Sequence, residues 1–465
     1  MVHTPHGYWL EEAGAVTPAL PLAGEIEADV VVIGGGFTGL WAAWHIKELE
    51  PEVRVVLLEA NGCGHGPSGR NGGFCNAMWF SLASMRSLWG DEPALAVARA
   101  AQSGVDGIAA FCAEQEVDAW FRQAGYMQVS TAAAHDGVLE RGLAACRELG
   151  VGDALTALSH DEVMARCASP IFRAGAISAS GATVQPARLA LGLRERLRGR
   201  EVELFESSPV RSLRDAADGV EARTPGGTVR ARTAVLAIGA AAKSWRGPLR
   251  NRLSVASSHI VITEPVPDLL EEIGWTGGEC IIDGRALVDY FRTTRDGRIA
   301  FGWGGGRIAM GARLGGSSEL DPEVVAATAD HLHAFFPTLA GRRITHAWGG
   351  PIDASPTHLP MVLPLPGGRA FVAAGYTGNG VGPSHMVGRT LASLALDRRD
   401  NASRLAFVDP APPLVPPEPL QWIGGEAIRA GIIAKEKAEL AGRRPGYIAS
   451  AVARVPELIG FHIGR

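Results

Sequence analysis

Three glycines, Gly34, Gly36 and Gly39, and one acid, Glu59, carry the clearest chemistry in this chain. The glycine spacing is that of a turn that cradles a pyrophosphate. Gly34 permits a sharp bend. Gly36 lacks a Cβ, so an anion can reach the free amides and positive dipole of the helix that opens at Phe37 and Thr38. Gly39 lets that helix pack closely on the preceding strand. Glu59, followed by Ala60, can accept both ribose hydroxyls of an adenosine, which argues against a 2′-phosphate and so against NADP. A glycine-rich turn with no ligand is the plain alternative. The order of strand, helix and acid favours the dinucleotide.

The elements that must place these residues are readable around them. Residues 28–33 (ADVVVI) form a short β-branched run, expected as a buried parallel strand. The stretch 38–50 predicts a helix that ends before Pro51, and 54–59 (RVVLLE) predicts the next buried strand, completing one βαβ unit. Farther on, 91–117, 186–200 and 321–336 read as helices. Strands are expected over 203–210, 234–240, 258–263 and 286–301, the last alternating around Tyr290, Arg292 and Thr294. A proline-rich stretch at 410–419 leads into a tail of basic helical patterns.

Composition narrows the class. The chain has 465 residues, enough for two or three domains with a large core. Apolar residues make up 46%, which argues against disorder. A net charge of −5 gives no basic patch for nucleic acid. The 59 glycines cluster in loops beside apolar runs, as suits a backbone that approaches a large ligand. Six scattered cysteines show no metal spacing and read as reduced thiols. Met1 to Gly14 has no apolar stretch behind a basic start, and Val30 to Trp44 is too short and glycine-broken to span a bilayer. A cytoplasmic protein with no membrane span is the expectation.

Three features favour FAD over NAD. The motif lies near the start of the chain. A second glycine-rich loop, 62–73, follows the acid directly and offers Ser68, Gly69, Arg70, Asn71, Gly72 and Gly73 as further cradle for an extended flavin nucleotide. The run 234–239 ends at Gly239, like a second adenosine-flanking strand.

At these residues the sequence resembles the D-amino-acid oxidase (DAO) family of FAD oxidoreductases, which includes glycine oxidase and sarcosine oxidase. Within it the likeness goes to the gamma-glutamylputrescine oxidoreductases. The matching strings are 27–39 (EADVVVIGGGFTG), 68–74 (SGRNGGF), 347–353 (AWGGPID) and 375–382 (GYTGNGVG), spread over about residues 5–400. The resemblance implies an α/β (α+β overall) fold: a Rossmann-like FAD-binding domain with an inserted mixed-sheet substrate domain, of the DAO and glutathione-reductase-2 type. The FAD-binding domain is expected from 1–80, 183–250 and 345–410, the substrate domain from 81–182 and 251–344, and a helical tail from 411–465. It also implies that Val210 binds adenine through its backbone. Gly375, Thr377, Gly378, Asn379, Gly380 and Val381 are implied near the polar edge of the flavin ring. Attachment of FAD through Cys63, His65 or Cys75 is not expected, so the cofactor is read as non-covalent.

One departure decides the expected substrate. Family members that oxidise amino acids hold the carboxylate with an arginine commonly placed just after the glycine of the strand before the last FAD segment. Here that strand reads Trp348, Gly349, Gly350, Pro351, so the bidentate anchor is missing. This points to an amine: hydride transfer to flavin N5, an imine, then hydrolysis to an aldehyde, with O2 or another acceptor taking the electrons. The amine must shed its proton, and an apolar pocket favours the neutral form by desolvation. Trp348, Tyr290, Tyr376 and His259 are candidates for lining that pocket, with core packing as the alternative for each. Arg292 can keep the amino-acid reading alive if it faces the flavin; it can equally be an outward residue paired with an acid. The rivals are an amino-acid or N-methyl-amino-acid oxidase, an RNA-modifying flavoenzyme, disfavoured by the acidic charge, and a flavoprotein with no substrate.

Overall fold

The computed structural model describes residues 2–3, 7–245 and 247–462. The outermost residues of the expected first and last segments (1, 4–6 and 463–465), and residue 246 within 183–250, lie outside it. The described residues build two large sheets, one of eight strands and one of nine.

The eight-stranded sheet holds the βαβ unit. Gly24–Ile33 lies between Gly227–Leu236 and Val55–Leu58, parallel to both, and Val55–Leu58 in turn pairs in parallel with Glu203–Phe205. Residues 30–33 and 55–58 are buried, as continuous Val, Ile and Leu runs require in a sheet covered on both faces. The strand Gly227–Leu236 serves two neighbours along one edge. Its first half takes Gly219–Arg223 antiparallel, and its end takes Ala370–Ala374 in parallel. Helices Phe37–Leu49, Pro186–Arg198 and Val381–Ala395 pack together on this sheet. The Phe37–Leu49 helix is apolar nearly all round, and ten of its residues are buried.

The nine-stranded sheet is mixed. Its order is Val2–His3, Ile344–Ala354, Ser254–Thr263, Ile299–Trp303, Asp289–Thr293, Cys280–Asp283, Tyr126–Val129, Gly175–Ser178, Thr156–Leu158. Only its Val2–His3 and Cys280–Tyr126 pairings are parallel. The Ile344–Ala354 strand, expected with the FAD-binding part, pairs here with Ser254–Thr263.

Three expectations need correction. The 234–240 strand is the end of Gly227–Leu236, and Gly239, at φ +52°, opens a short 3-10 turn, Gly239–Lys243. The 286–301 stretch is a hairpin, Asp289–Thr293 and Ile299–Trp303, rather than one strand. Gly297, at φ +77°, turns the chain between them, and Thr294 Oγ1 accepts from the Arg298 amide at 2.9 Å. The 203–210 strand ends at Phe205; beyond it the chain turns at Ser207 (φ 50°) and the Ser208 amide donates to Glu59 O. After the proline-rich stretch, the tail forms helices Leu420–Leu440 and Tyr447–Leu458. No helix of the described residues is long and apolar enough to cross a membrane.

Candidate active site

A cavity of about 1280 Å³ runs between the two sheets, from Glu59 and Ala60 at one end to Tyr290, Trp348 and the 420–440 helix at the other. Its first end is the glycine turn. Gly34, at φ +112°, donates its amide to Leu58 O at 2.8 Å, and a Cβ there would stand 2.3 Å from Ala237 O. A Cβ on Gly39 would stand 1.9 Å from Gly34 O, so helix and turn touch backbone to backbone. The Phe37 amide donates to Ser68 Oγ at 2.9 Å. Gly36 and Thr38 line the cavity, and their amides meet no acceptor among the described residues. Such orphan donors at the start of a thirteen-residue helix suit an anion. Glu59 accepts from the Gly35 amide at 2.7 Å and the Asn61 amide at 2.8 Å, one on each carboxylate oxygen. Burial pushes its carboxyl up, and those two amides oppose the shift.

The second loop continues the wall. Asn71 shapes it: its Nδ2 donates to Pro67 O and Ser68 O, and its Oδ1 accepts from the Gly73 amide at 2.7 Å. Ser68, Arg70, Asn71 and Gly72 face the cavity. Gly69 and Gly73 do not; a Cβ on either would strike backbone oxygen, Gly64 O at 2.3 Å or Val184 O at 2.1 Å. A buried ion pair fixes the loop from behind. Arg194 bonds both oxygens of Glu206, which also accept from the Cys63 and Ala19 amides. Burial alone would raise the Glu206 carboxyl, but Arg194 and these amides hold it below its ordinary value. Sequence reading missed this pair, since neither residue belongs to a motif. Val210 and Gly239 also lie on the wall, as do residues 377–381 at the start of the Val381–Ala395 helix. Gly375 stands back from it, at φ +89°, held by Asp353 Oδ2, which accepts its amide at 2.7 Å. Burial pushes the Asp353 carboxyl up to about 6, against the pull of the backbone amides it accepts. Asp353 lay within a matched string but carried no assigned role.

The far end is the face of the nine-stranded sheet. Ser254, Ala256, Ser258 and Ile260 point into the cavity at alternate positions of their strand. His259 therefore points away. It is fully buried, accepts from the Asp321 amide at 2.9 Å through Nε2, and burial pulls its pKa down to about 4. Arg292 shares the parity of Tyr290 but lies outside the cavity lining. It donates to the carbonyls of Val184, Gly73 and Thr293 and stitches the second loop to this sheet. Burial lowers its pKa to about 10. Trp348 and Tyr376 line the cavity with Tyr290. Trp348 Nε1 donates to Arg70 O at 2.7 Å, and Tyr376 Oη shares a 2.7 Å hydrogen bond with Thr38 Oγ1. The Ser258 hydroxyl donates to Trp303 O at 2.8 Å, so in its 2.7 Å contact with Tyr290 the phenol is the donor. Burial pushes the Tyr290 phenol up to about 12, which keeps it neutral. His65 is on the cavity wall, whereas Cys63 and Cys75 are buried outside it.

The orphan amides at the helix start, the acid with spare lone pairs beside them and the length of the cavity fit an extended flavin adenine dinucleotide. Residues 29–394 match the family model described as DAO, FAD dependent oxidoreductase. The chain belongs to that family and is an FAD-dependent oxidoreductase acting on amines or amino acids. It is similar to gamma-glutamylputrescine oxidoreductase of Escherichia coli, at 27% identity over 85% of this chain and 89% of that protein. It is equally similar to a probable oxidoreductase OrdL of Rhizobium meliloti, at 27% identity over 84% and 89%. Among solved structures, glycine oxidase from Geobacillus kaustophilus shares the fold with a TM-score of 0.65 at 20% identity, over 81% of this chain and 96% of that one. L-proline dehydrogenase from P. horikoshii does so with a TM-score of 0.66 at 18% identity, over 83% and 96%.

Proposed function

We propose that this protein oxidises a primary or secondary amine of the gamma-glutamylputrescine kind to an imine, which water hydrolyses to an aldehyde. The observation that carries this reading is the cavity wall at Gly349, Gly350 and Pro351, which offers no cation to a carboxylate next to the reacting carbon. The likeness to the Escherichia coli enzyme supports it. FAD is held without a covalent bond by the 34–39 turn, Glu59, the 68–73 loop, Val210 and the 375–381 segment. When bound, it accepts the C–H hydride, and O2 or another acceptor takes the electrons on.

The chain's own residues prepare the amine. Ile260, Leu287, Val288 and Trp348 make the substrate end apolar, so it favours the neutral amine over the ammonium. The Tyr290 oxygen, having spent its proton on Ser258, is an acceptor for the amine N–H. The indole of Trp348, locked by its bond to Arg70 O, fixes the width of the pocket.

The test is anaerobic mixing of the FAD-loaded protein with gamma-glutamylputrescine, simple alkyl amines, polyamines, glycine, sarcosine and D-amino acids. The readout is loss of the oxidised flavin band. Bleaching by amines alone is expected. Bleaching by amino acids alone refutes the reading. Oxygen uptake during turnover in air identifies O2 as the acceptor.

A further inference from the structure

Among the described residues, the lysines and arginines that line the cavity are Arg70 and Arg429. Arg70 is engaged by Gly66 O and by the Glu319 carboxylate at 3.3 Å. Arg429 differs. It sits on the Leu420–Leu440 helix, beyond the stretch matched by the family model. Its Nε donates to Gly305 O at 2.8 Å, which orients the guanidinium. Its Nη atoms make no hydrogen bond among the described residues. Its ion-pair partner, Glu426, reaches Nη1 only at 3.6 Å through Oε2, while its Oε1 accepts from the Ile308 amide at 2.7 Å. The side chain is only 16% exposed, and burial lowers its pKa. A half-desolvated cation with an open fork gains most from a planar anion.

The helix is fixed well enough to place that cation. Gln421, Gly425, Arg429, Ile432 and Glu436 recur at helical spacing on its inner face. Gln421 Nε2 donates to Ser254 Oγ at 2.6 Å, and Glu436 accepts from the Ala286 and Leu287 amides at 2.8 and 3.2 Å. Gly425 allows close approach, since a Cβ there would meet Ile308 at 3.0 Å. Gly305 follows the Ile299–Trp303 strand, which is two strands across from Gly349. At ~4.8 Å per strand, that offset is about 10 Å.

We propose that Arg429 binds a carboxylate carried at the far end of the amine substrate, remote from the C–N bond that is oxidised. This rests on the amine reading above and narrows it to linear amines with a distal carboxylate. An α-amino acid cannot bring its carboxylate so far from the reacting carbon.

The probe that needs no oxidation is glutarate, a dicarboxylate without an amine. Calorimetry of the FAD-loaded protein is expected to show glutarate binding that weakens about 10- to 100-fold in Arg429→Met and recovers in part in Arg429→Lys. On the substrate side, converting the carboxylate of gamma-glutamylputrescine to its methyl ester raises the KM of the wild-type protein by a similar factor. The ester costs nothing further in Arg429→Met, because the two changes remove one interaction. Absence of glutarate binding to the wild type, equal binding to Arg429→Met, or equal KM for acid and ester overturns the proposal. If Arg429→Met fails to retain FAD, the Lys variant and the wild-type ester comparison decide it. If no amine bleaches the flavin, the amine reading fails, while glutarate binding still judges Arg429 by itself.

Discussion

Glu59→Gln tests the adenosine end of the cavity. In the native protein each carboxylate oxygen accepts one amide, Gly35 at 2.7 Å and Asn61 at 2.8 Å, and keeps lone pairs for ribose hydroxyls. Glutamine has one oxygen. Its amino group must then face a backbone N–H at under 3 Å, or turn away and leave that amide unpaired. The contact that counts for FAD is the one to the ribose: losing one charge-assisted hydrogen bond from a ribose hydroxyl costs about 1.5–3 kcal/mol. The relief of burying a neutral group instead of a charge offsets part of this, since burial already pushes the Glu59 carboxyl up. The expected net is about 1–2 kcal/mol, or about 5- to 30-fold in the Kd for FAD. Apoprotein titrated with FAD, followed by flavin fluorescence, measures it. FMN has no adenosine, so its affinity is the internal control. An unchanged Kd for FAD refutes the role given to Glu59. An equal loss for FMN and FAD shows that the substitution merely distorts the turn.

Asp353→Asn keeps an acceptor for the Gly375 amide and removes a carboxyl whose pKa burial lifts from 3.8 to about 6. The folded state binds that proton more readily than the unfolded one, so the native protein loses stability as pH rises from about 4 to 6, by up to about 3 kcal/mol. Urea melts across that range are expected to show the slope in the wild type and its loss in the variant; an identical slope in both rejects the assignment. Glu206→Ala takes from Arg194, 1% exposed, its buried carboxylate and leaves it Glu195 and Thr17 O, so it is expected to cost about 3 kcal/mol in the same melts, the low end for a broken buried pair. A cost under 1 kcal/mol would show that the pair does not hold the second loop. Tyr290→Phe removes the acceptor for the amine and the donor to Ser258 Oγ, whose own proton stays on Trp303 O. Steady-state kinetics are expected to show kcat/KM for the amine down about 10-fold with the Kd for FAD unchanged, and a loss of FAD instead moves Tyr290 to the cofactor side.

The dinucleotide turn was legible because everything that defines it is local. A β-branched run, three glycines, a helix and an acid lie within Ala28 to Glu59, and each role follows from backbone geometry. The hairpin at 289–303 carried its own mark, Asp296 before Gly297, a turn pair that the alternation around Tyr290 and Arg292 obscured. His259 shows a limit of another kind. Alternation tells that Ser258 and Ile260 share a face and that His259 has the other, but which face meets the cavity is settled by sheet pairing with Gly349 and Trp303, far along the chain. Arg292, left open between facing the flavin and pointing outward beside an acid, does neither: it shares the parity of Tyr290, yet the Gly73 and Val184 carbonyls take its guanidinium, and that contact joins three distant segments.

The 420–440 helix extends this contrast into an argument about specificity. Its inner residues read as an unremarkable mixed stripe, because Gln421, Arg429 and Glu436 gain meaning only from Ser254, Gly305 and Ala286, well over a hundred positions earlier. The cradle proposed for FAD is completed by residues up to Val381 and lies inside the stretch matched by the family model, which ends at 394. The helix lies outside it. A change at Arg429 therefore alters the wall of the substrate end without touching a turn, strand or acid of the cradle, whereas Gln421, whose Oε1 accepts from Lys243 of the Gly239–Lys243 turn, ties the start of the helix to the other end. Conversely, a change in the cradle does not move Arg429, whose position is set by bonds to the nine-stranded sheet and the loops beside it. The two ends of one cavity thus meet through Lys243 and Gln421, and only the 34–59 turn has contacts short enough in sequence to be read directly.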